Sequence, residues 1–170
     1  MHYSLTEAQT ELRAQILKLC ADFGDEYWLK IDQEARFPEE FYRAVAAAGW
    51  LGIAMPEEFG GAGLGISEAT VMMQAVAESG ACMSGASAIH MNIFGLNPVV
   101  VFGTAAQKQR FLPPLIEGRE KACFGVTEPN TGLNTTELKT RAEKRGDRYV
   151  INGQKIWIST AQVADRILLL

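Results

Sequence analysis

The spacing of apolar residues changes once along this chain of 170 residues, at about Lys121. Upstream they recur at steps of three and four, the period of helices that bury one face. Downstream the step is two, the period of strands. A chain that switches once from helical to extended period folds as α+β, not as alternating βα units. The pattern predicts an N-terminal all-α bundle over residues 1–120 and the start of an antiparallel β domain over residues 121–170. No flexible linker marks the change, so the two parts are expected to pack directly.

Within the helical part, Thr6-Glu7-Ala8-Gln9 fits a capping box. Leu5, Leu12, Ile16, Leu19 and Phe23 then form one stripe, and the pattern continues through Tyr27, Trp28 and Ile31. Gly24 interrupts it at a cost of about 1 kcal/mol, which need not end a helix. Pro38 suits the first turn of a second helix, with Phe41, Val45 and Ala48 buried and Gly49 as the stop. Four glycines and a proline between Met55 and Gly65 make a loop. Lacking a preceding strand and a Gly-Lys-Ser/Thr ending, it reads as a structural or substrate-adjacent loop and not as a phosphate cradle. Ser67 is expected to cap a third helix, and Ser84 to Phe94 to form a fourth that Pro98 ends. Thr104-Ala105-Ala106-Gln107 repeats the capping box, opening a helix that Pro113-Pro114 closes. His90 has no orienting carboxylate nearby in sequence and reads as a satisfied, partly buried histidine.

The stretch Cys123 to Ser159 is the chemically suggestive one. A short strand breaks at Glu128-Pro129, and a turn-rich segment, Asn130 to Asn134, follows. Leu138, Thr140 and Ala142 alternate with charged residues as a half-exposed strand. Arg145-Gly146-Asp147 makes a turn, and Asn152-Gly153 is the strongest hairpin signal, so the prediction is a meander. Read as a strand, Lys155 to Ser159 puts Trp157 and Ser159 on one face and Ile156 and Ile158 on the other. An indole beside a hydroxyl suits a flat heterocycle with polar edges. The alternatives are core packing for Trp157 and ordinary strand polarity for Thr127 and Ser159. Asp165 to Leu170 reads as a buried strand that needs neighbours on both sides, and a longer reading frame is the expectation.

Composition narrows the classes. Sixteen Lys and Arg against twenty Asp and Glu give a net charge of −4, with no basic run to bind nucleic acid non-specifically. No apolar run approaches the ~20 residues of a membrane span, and no secretory signal or transit segment is visible. Cys20, Cys82 and Cys123 have no metal or redox spacing and read as reduced, mostly buried thiols. A cytoplasmic location is the expectation.

Gly125-Val126-Thr127-Glu128-Pro129, then Gly132, then Asn152-Gly153-Gln154-Lys155-Ile156-Trp157-Ile158-Ser159 resembles the acyl-CoA dehydrogenases, flavoproteins that use FAD. Phe37-Pro38-Glu39-Glu40-Phe41, Gly49-Trp50-Leu51-Gly52 and Pro56 to Gly61 stand in the family's usual order, so the likeness covers nearly the whole chain. The resemblance implies that Phe124, Val126, Thr127, Gly132, Leu133, Trp157, Ile158 and Ser159 contact FAD, and that Leu133 adjoins the acyl-CoA substrate. Thr127 matches residues beside the flavin's pyrimidine edge, and Ser159 a hydroxyl residue near N5. Many members carry Ser-Asp where this chain has Leu133-Asn134, so a side-chain donor is missing there and the N–H groups around Gly132 are left to meet a phosphate. The resemblance further implies a C-terminal helical domain beyond Leu170 that holds the catalytic glutamate, so no catalytic residue is expected within these residues. An electron-transfer flavoprotein or similar acceptor, and a homo-oligomer of the full-length protein, are the expected partners. The competing readings are a truncated relative that only dimerises or docks, and a sister acyl-CoA oxidase.

Overall fold

A computed structural model describes residues 4–93 and 95–170. Its element order is α1 (Glu7–Cys20), α2 (Asp25–Gln33), α3 (Glu39–Ala47), α4 (Ile66–Val76), α5 (Cys82–Ile93), α6 (Asn97–Phe102), α7 (Ala105–Ile116), β1 (Ala122–Gly125), β2 (Arg141–Arg145), β3 (Arg148–Asn152) and β4 (Arg166–Leu169). A helical part followed by a small β region is the expected α+β class.

Both capping boxes form as the sequence predicts. The Thr6 hydroxyl accepts from the Gln9 N–H at 3.2 Å, and the Gln9 side chain accepts from the Thr6 N–H at 3.1 Å. Thr104 and Gln107 repeat the exchange at 3.2 and 2.8 Å. Gln9 also donates to Glu68 at 3.0 Å, tying α1 to α4. Leu12, Ile16, Phe41, Tyr42, Val45, Val71, Met72 and Ile89 pack in the main core. Phe41 meets Phe23 and Trp28 edge-on, with ring centroids 5.4 and 5.1 Å apart, the geometry aromatic quadrupoles favour.

Several helix boundaries depart from the sequence reading. Gly24 does separate two helices: α1 stops at Cys20 and Gly24 sits at the N-cap of α2. The break swings Trp28 back so that its indole N–H donates to the Phe23 carbonyl at 2.8 Å. Ala48 is exposed, and Tyr42 takes the buried place on α3. Gly65, not Ser67, precedes α4, its N–H held by the Glu68 carboxylate at 3.1 Å. Pro98 lies in the first turn of α6, where its missing N–H costs nothing. The α7 helix runs through Pro113 and Pro114. The carbonyls one turn earlier, on Gln109 and Arg110, belong to exposed residues and can be met by water. Leu112, Pro114, Leu115 and Ile116 hold that end by burial. Phe94, the expected end of the fourth helix, lies outside the described residues.

One window within Ile66–Phe102 is long and apolar enough, by length and composition alone, to cross a membrane. That departs from the sequence reading. Just over half of the window, 53%, is buried in the chain, and Gly80 at φ +91 breaks the helical path between α4 and α5. Val71, Met72, Val76 and Ile89 from this span pack in the main core.

A second apolar cluster, Met55, Leu96, Leu112, Leu115, Ile116 and Ala122, carries packing from the helices onto β1. Polar groups close the same junction. Asn92, 2% exposed, donates to the Tyr42 hydroxyl at 2.9 Å and the Leu115 carbonyl at 3.0 Å. The Tyr42 hydroxyl donates to the Glu120 carbonyl at 3.3 Å. Burial pushes the Tyr42 phenol up, so it stays a donor at any ordinary pH. The Lys121 ammonium lies over the Tyr42 ring, 4.6 Å from its centre, and 3.1 Å from Glu39.

The strands do not make a simple meander. β1 and β4 pair in parallel, Ala122 opposite Arg166 through Gly125 opposite Leu169. β2 and β3 form a separate antiparallel hairpin whose turn is Gly146-Asp147, with Gly146 at φ +65. Every residue of β2 is exposed, where a half-exposed strand was expected. Asn152-Gly153 makes no hairpin. A Cβ on Gly153 would stand 2.2 Å from the Thr140 hydroxyl, so the glycine serves a close approach and not a turn. β4 is half-buried rather than buried, with Ile167 52% exposed.

Candidate functional site

The candidate site forms where two chain segments leave their ladders side by side. The first follows β1. Gly125 ends that strand under the Ile167 and Leu169 side chains, where a Cβ would fall 2.8 Å from one and 3.1 Å from the other. Phe124 is half-buried in β1, and the chain leaves the ladder at Val126 and Thr127. The second segment follows β3. Ile156 N–H donates to the Thr127 carbonyl at 2.9 Å, and the Lys155 ammonium donates to the Val126 carbonyl at 2.8 Å. Val126 and Thr127 are thereby joined to the 155–159 segment, as the sequence reading requires.

That segment is not a strand. Trp157 has φ +58, outside the extended region and uncommon for any residue but glycine. The expected sidedness survives all the same: Trp157 and Ser159 are exposed, while Ile156 and Ile158 are half-buried. Trp157 is 86% exposed, so among the described residues it has no core to fill. Among the described residues, neither the hydroxyl nor the N–H of Thr127 has a hydrogen-bond acceptor, and the Ser159 hydroxyl has no partner. A large exposed aromatic on a strained backbone, with unused donors alongside, is typical of a binding surface rather than of a packed interior.

Gly132 and Leu133 sit elsewhere. Glu128 and Thr131 exchange backbone hydrogen bonds at 2.9 and 3.2 Å across Pro129-Asn130. The chain then emerges with Leu133 fully exposed and open space around Gly132. No hydrogen bond joins them to the 155–159 segment. Leu133 thus offers an apolar side chain with no partner, and the Gly132 backbone can be approached closely by a ligand.

Glu128 is placed by contacts distant in the chain. Its carboxylate is 6% exposed and accepts from Lys139 N–H and Thr140 N–H at 2.8 Å each, the Thr140 hydroxyl at 2.6 Å and the Lys155 ammonium at 3.0 Å. The Thr140 hydroxyl, the Lys139 N–H and Lys155 outweigh burial and hold it at about 2. A carboxylate saturated with donors cannot act as a general base, so the adjacency of Glu128 to the motif does not make it catalytic. The pairing had a weak sequence signal: Gly153 permits the contact that brings Thr140 to it.

Immediately after Ser159 the chain turns at Thr160, φ +68. Thr160 and Val163 border a cavity of about 730 Å³ with Ile31, Phe37, Met83 and Ser87, between α2 and α5. Its volume is in the range of small-molecule sites. His90 is partly buried as expected, its Nδ1 2.9 Å from the Ser87 carbonyl. Among the described residues no cluster of His, Cys, Asp or Glu could hold a metal. The three cysteines are free. Burial pushes the Cys20 and Cys123 thiols up, while Cys82 is exposed.

The chain belongs to the acyl-CoA dehydrogenase family. The model of the family's N-terminal domain matches residues 6–119 and that of its middle domain residues 123–170. Isovaleryl-CoA dehydrogenase of Bos taurus is 34% identical over 163 residues, 95% of this chain and 38% of that protein. The 3-(aryl)acrylate reductase of Clostridium sporogenes is 32% identical over 94% of this chain and 43% of its own length. An electron transferring flavoprotein structure of Acidaminococcus fermentans superposes with a TM-score of 0.86 at 29% identity, over 99% of this chain and 44% of that one. The chain spans well under half the length of the relatives it matches.

The residues present fit a flavin. An exposed indole can lie against a flat ring system, and the free donors of Thr127 and Ser159 can meet the polar edge of such a ring. Open space at Gly132 leaves backbone N–H groups within reach of a phosphate.

Proposed function

We propose that this chain is the front part of an FAD-dependent acyl-CoA dehydrogenase, which converts acyl-CoA thioesters to trans-2-enoyl-CoA. The observation that carries the reading is Trp157, 86% exposed at φ +58 beside the unpaired donors of Thr127 and Ser159. FAD, when bound, supplies a hydride acceptor for the carbon β to the thioester. Thr127 and the Val126–Thr127 N–H groups donate toward the edge that gains negative charge. Trp157 would lie against the ring system, the backbone at Ile158 and the Ser159 hydroxyl would border it, and Phe124 would support the strand end. Gly132 and Leu133 meet the nucleotide and thioester portions.

The proton α to the thioester goes to a carboxylate other than Glu128, whose oxygens are already taken by Lys139, Thr140 and Lys155. Electrons leave to an electron-transfer flavoprotein or similar acceptor, and the full-length protein is a homo-oligomer.

The test is to purify the full-length protein, add FAD, and follow visible absorbance and flavin fluorescence with an acyl-CoA. Bound flavin that bleaches on adding the thioester is expected. A colourless protein that quenches no flavin fluorescence sinks the reading.

A further inference from the structure

Glu128 and Lys155 form an almost fully buried ion pair, their side chains 6% and 8% exposed. Lys155 reaches two places at once: the Glu128 carboxylate at 3.0 Å and the Val126 carbonyl at 2.8 Å. Glu128 in turn gathers Lys139 and Thr140. The pair therefore ties three segments together: the end of β1, the approach to β2 and the exit from β3. The segment beyond Lys155 has few anchors of its own. Ile156 N–H is fixed to Thr127, and Trp157 follows with its side chain in solvent and a left-handed backbone. Such a conformation persists only when its surroundings over-determine it. Buried ion pairs are a poor way to add stability, because desolvation offsets most of the attraction, and apolar replacements often do as well. A pair kept at this spot is better explained by geometry than by stability.

Resting on the flavin reading above, we propose that Glu128 and Lys155 are a positioning pair, which holds the donor edge Val126–Thr127 and the Trp157 indole in one register so that both engage FAD together. They touch the two flanking segments and not the ligand. Thr140 completes the pair through its hydroxyl, and Gly153 keeps the space Thr140 occupies.

The experiment is FAD titration of the full-length protein by fluorescence quenching, well below every melting temperature, with thermal unfolding on the same samples. Lys155→Met removes both bonds and leaves Glu128 its other three donors. Lys155→Gln keeps a neutral donor. Thr6→Ala is a control that weakens the fold far from the site. Lys155→Met is expected to lower FAD affinity by about tenfold or more, since small misplacements of a preorganised site are costly. Lys155→Gln should recover part of it, and Thr6→Ala should stay within about twofold of wild type. Should Lys155→Met not fold, the double variant Glu128→Gln/Lys155→Met, which leaves no unpaired buried charge, decides on the same scale. Wild-type affinity in whichever of these folds overturns the positioning role and leaves the flavin reading intact. A wild-type protein that binds no FAD overturns both.

Discussion

The helical bundle buries many of its large side chains, with exposed exceptions such as Ile66, Met83 and Phe102, while the strand region leaves its own half-buried or exposed. Phe41, Tyr42, Leu51, Ile53, Met72 and Ile89 are completely buried in the first. Trp157 and Leu133 stand almost wholly in solvent in the second, and the β2–β3 hairpin buries no residue at all. Polar chemistry divides the same way. Most ion pairs on the helices are exposed and local, such as Arg43 with Glu39 and Lys30 with Glu34, of a kind that contributes little. The strand region has the almost fully buried Glu128–Lys155 pair. Within these 170 residues cohesion thus resides in the bundle, whereas the strand region leaves Trp157 and Leu133 uncovered.

Substitutions can break or sharpen that contrast. The largest effect is expected from Phe41→Ala, which empties the space between Phe23 and Trp28 and should cost about 3–5 kcal/mol in urea unfolding. A loss below about 1 kcal/mol would mean the bundle core is not where the burial puts it. Next is Gly61→Ala. The added Cβ would stand 2.2 Å from the Met55 carbonyl oxygen, and backbone has to move, at about 1–3 kcal/mol read by thermal melting.

Acid tests the strand region through a buried carboxylate, whereas the carboxylates held below the usual range on the helices, Glu39, Glu40, Glu68 and Glu78, are partly or fully exposed. Glu128 titrates at about 2, below its ordinary value of 4.5. Its contribution is therefore complete at neutral pH, declines as pH falls below about 5, and is gone once pH passes below about 2. Hydrogen exchange should show the Lys139 and Thr140 amides losing protection over that window, ahead of the Leu12 and Ile16 amides in α1. Simultaneous loss in both regions would erase the distinction between them. The smallest stability effect is expected from Trp157→Ala, within about 0.5 kcal/mol of wild type, with FAD binding strongly weakened. A large stability loss with unchanged flavin binding would return Trp157 to a structural role.

Some of this was legible in the residues themselves. Capping boxes at Thr6 and Thr104 are read within four residues, and both form as written. The change of period near Lys121 separated helices from strands, and the alternation from Ile156 to Ser159 predicted which side chains face out. These features depend on local sterics and short-range hydrogen bonds, which neighbours in sequence determine. The partners of each strand were not legible. Asn152-Gly153 has the form of a hairpin turn, yet Gly153 answers to Thr140, thirteen positions earlier. Pro113 and Pro114 ought to end a helix locally, and burial at Leu112, Leu115 and Ile116 overrides them.

The chain's order alone determined where helices begin, which faces are apolar and which motif is chemically distinctive. Only the tertiary structure decided that β1 runs parallel to β4, that Glu128 is spent on Lys155 and Thr140, and that Trp157 leaves the extended region with its indole in solvent. The reason is physical: each of these depends on contacts between residues far apart in sequence, whose energies no short window of residues contains.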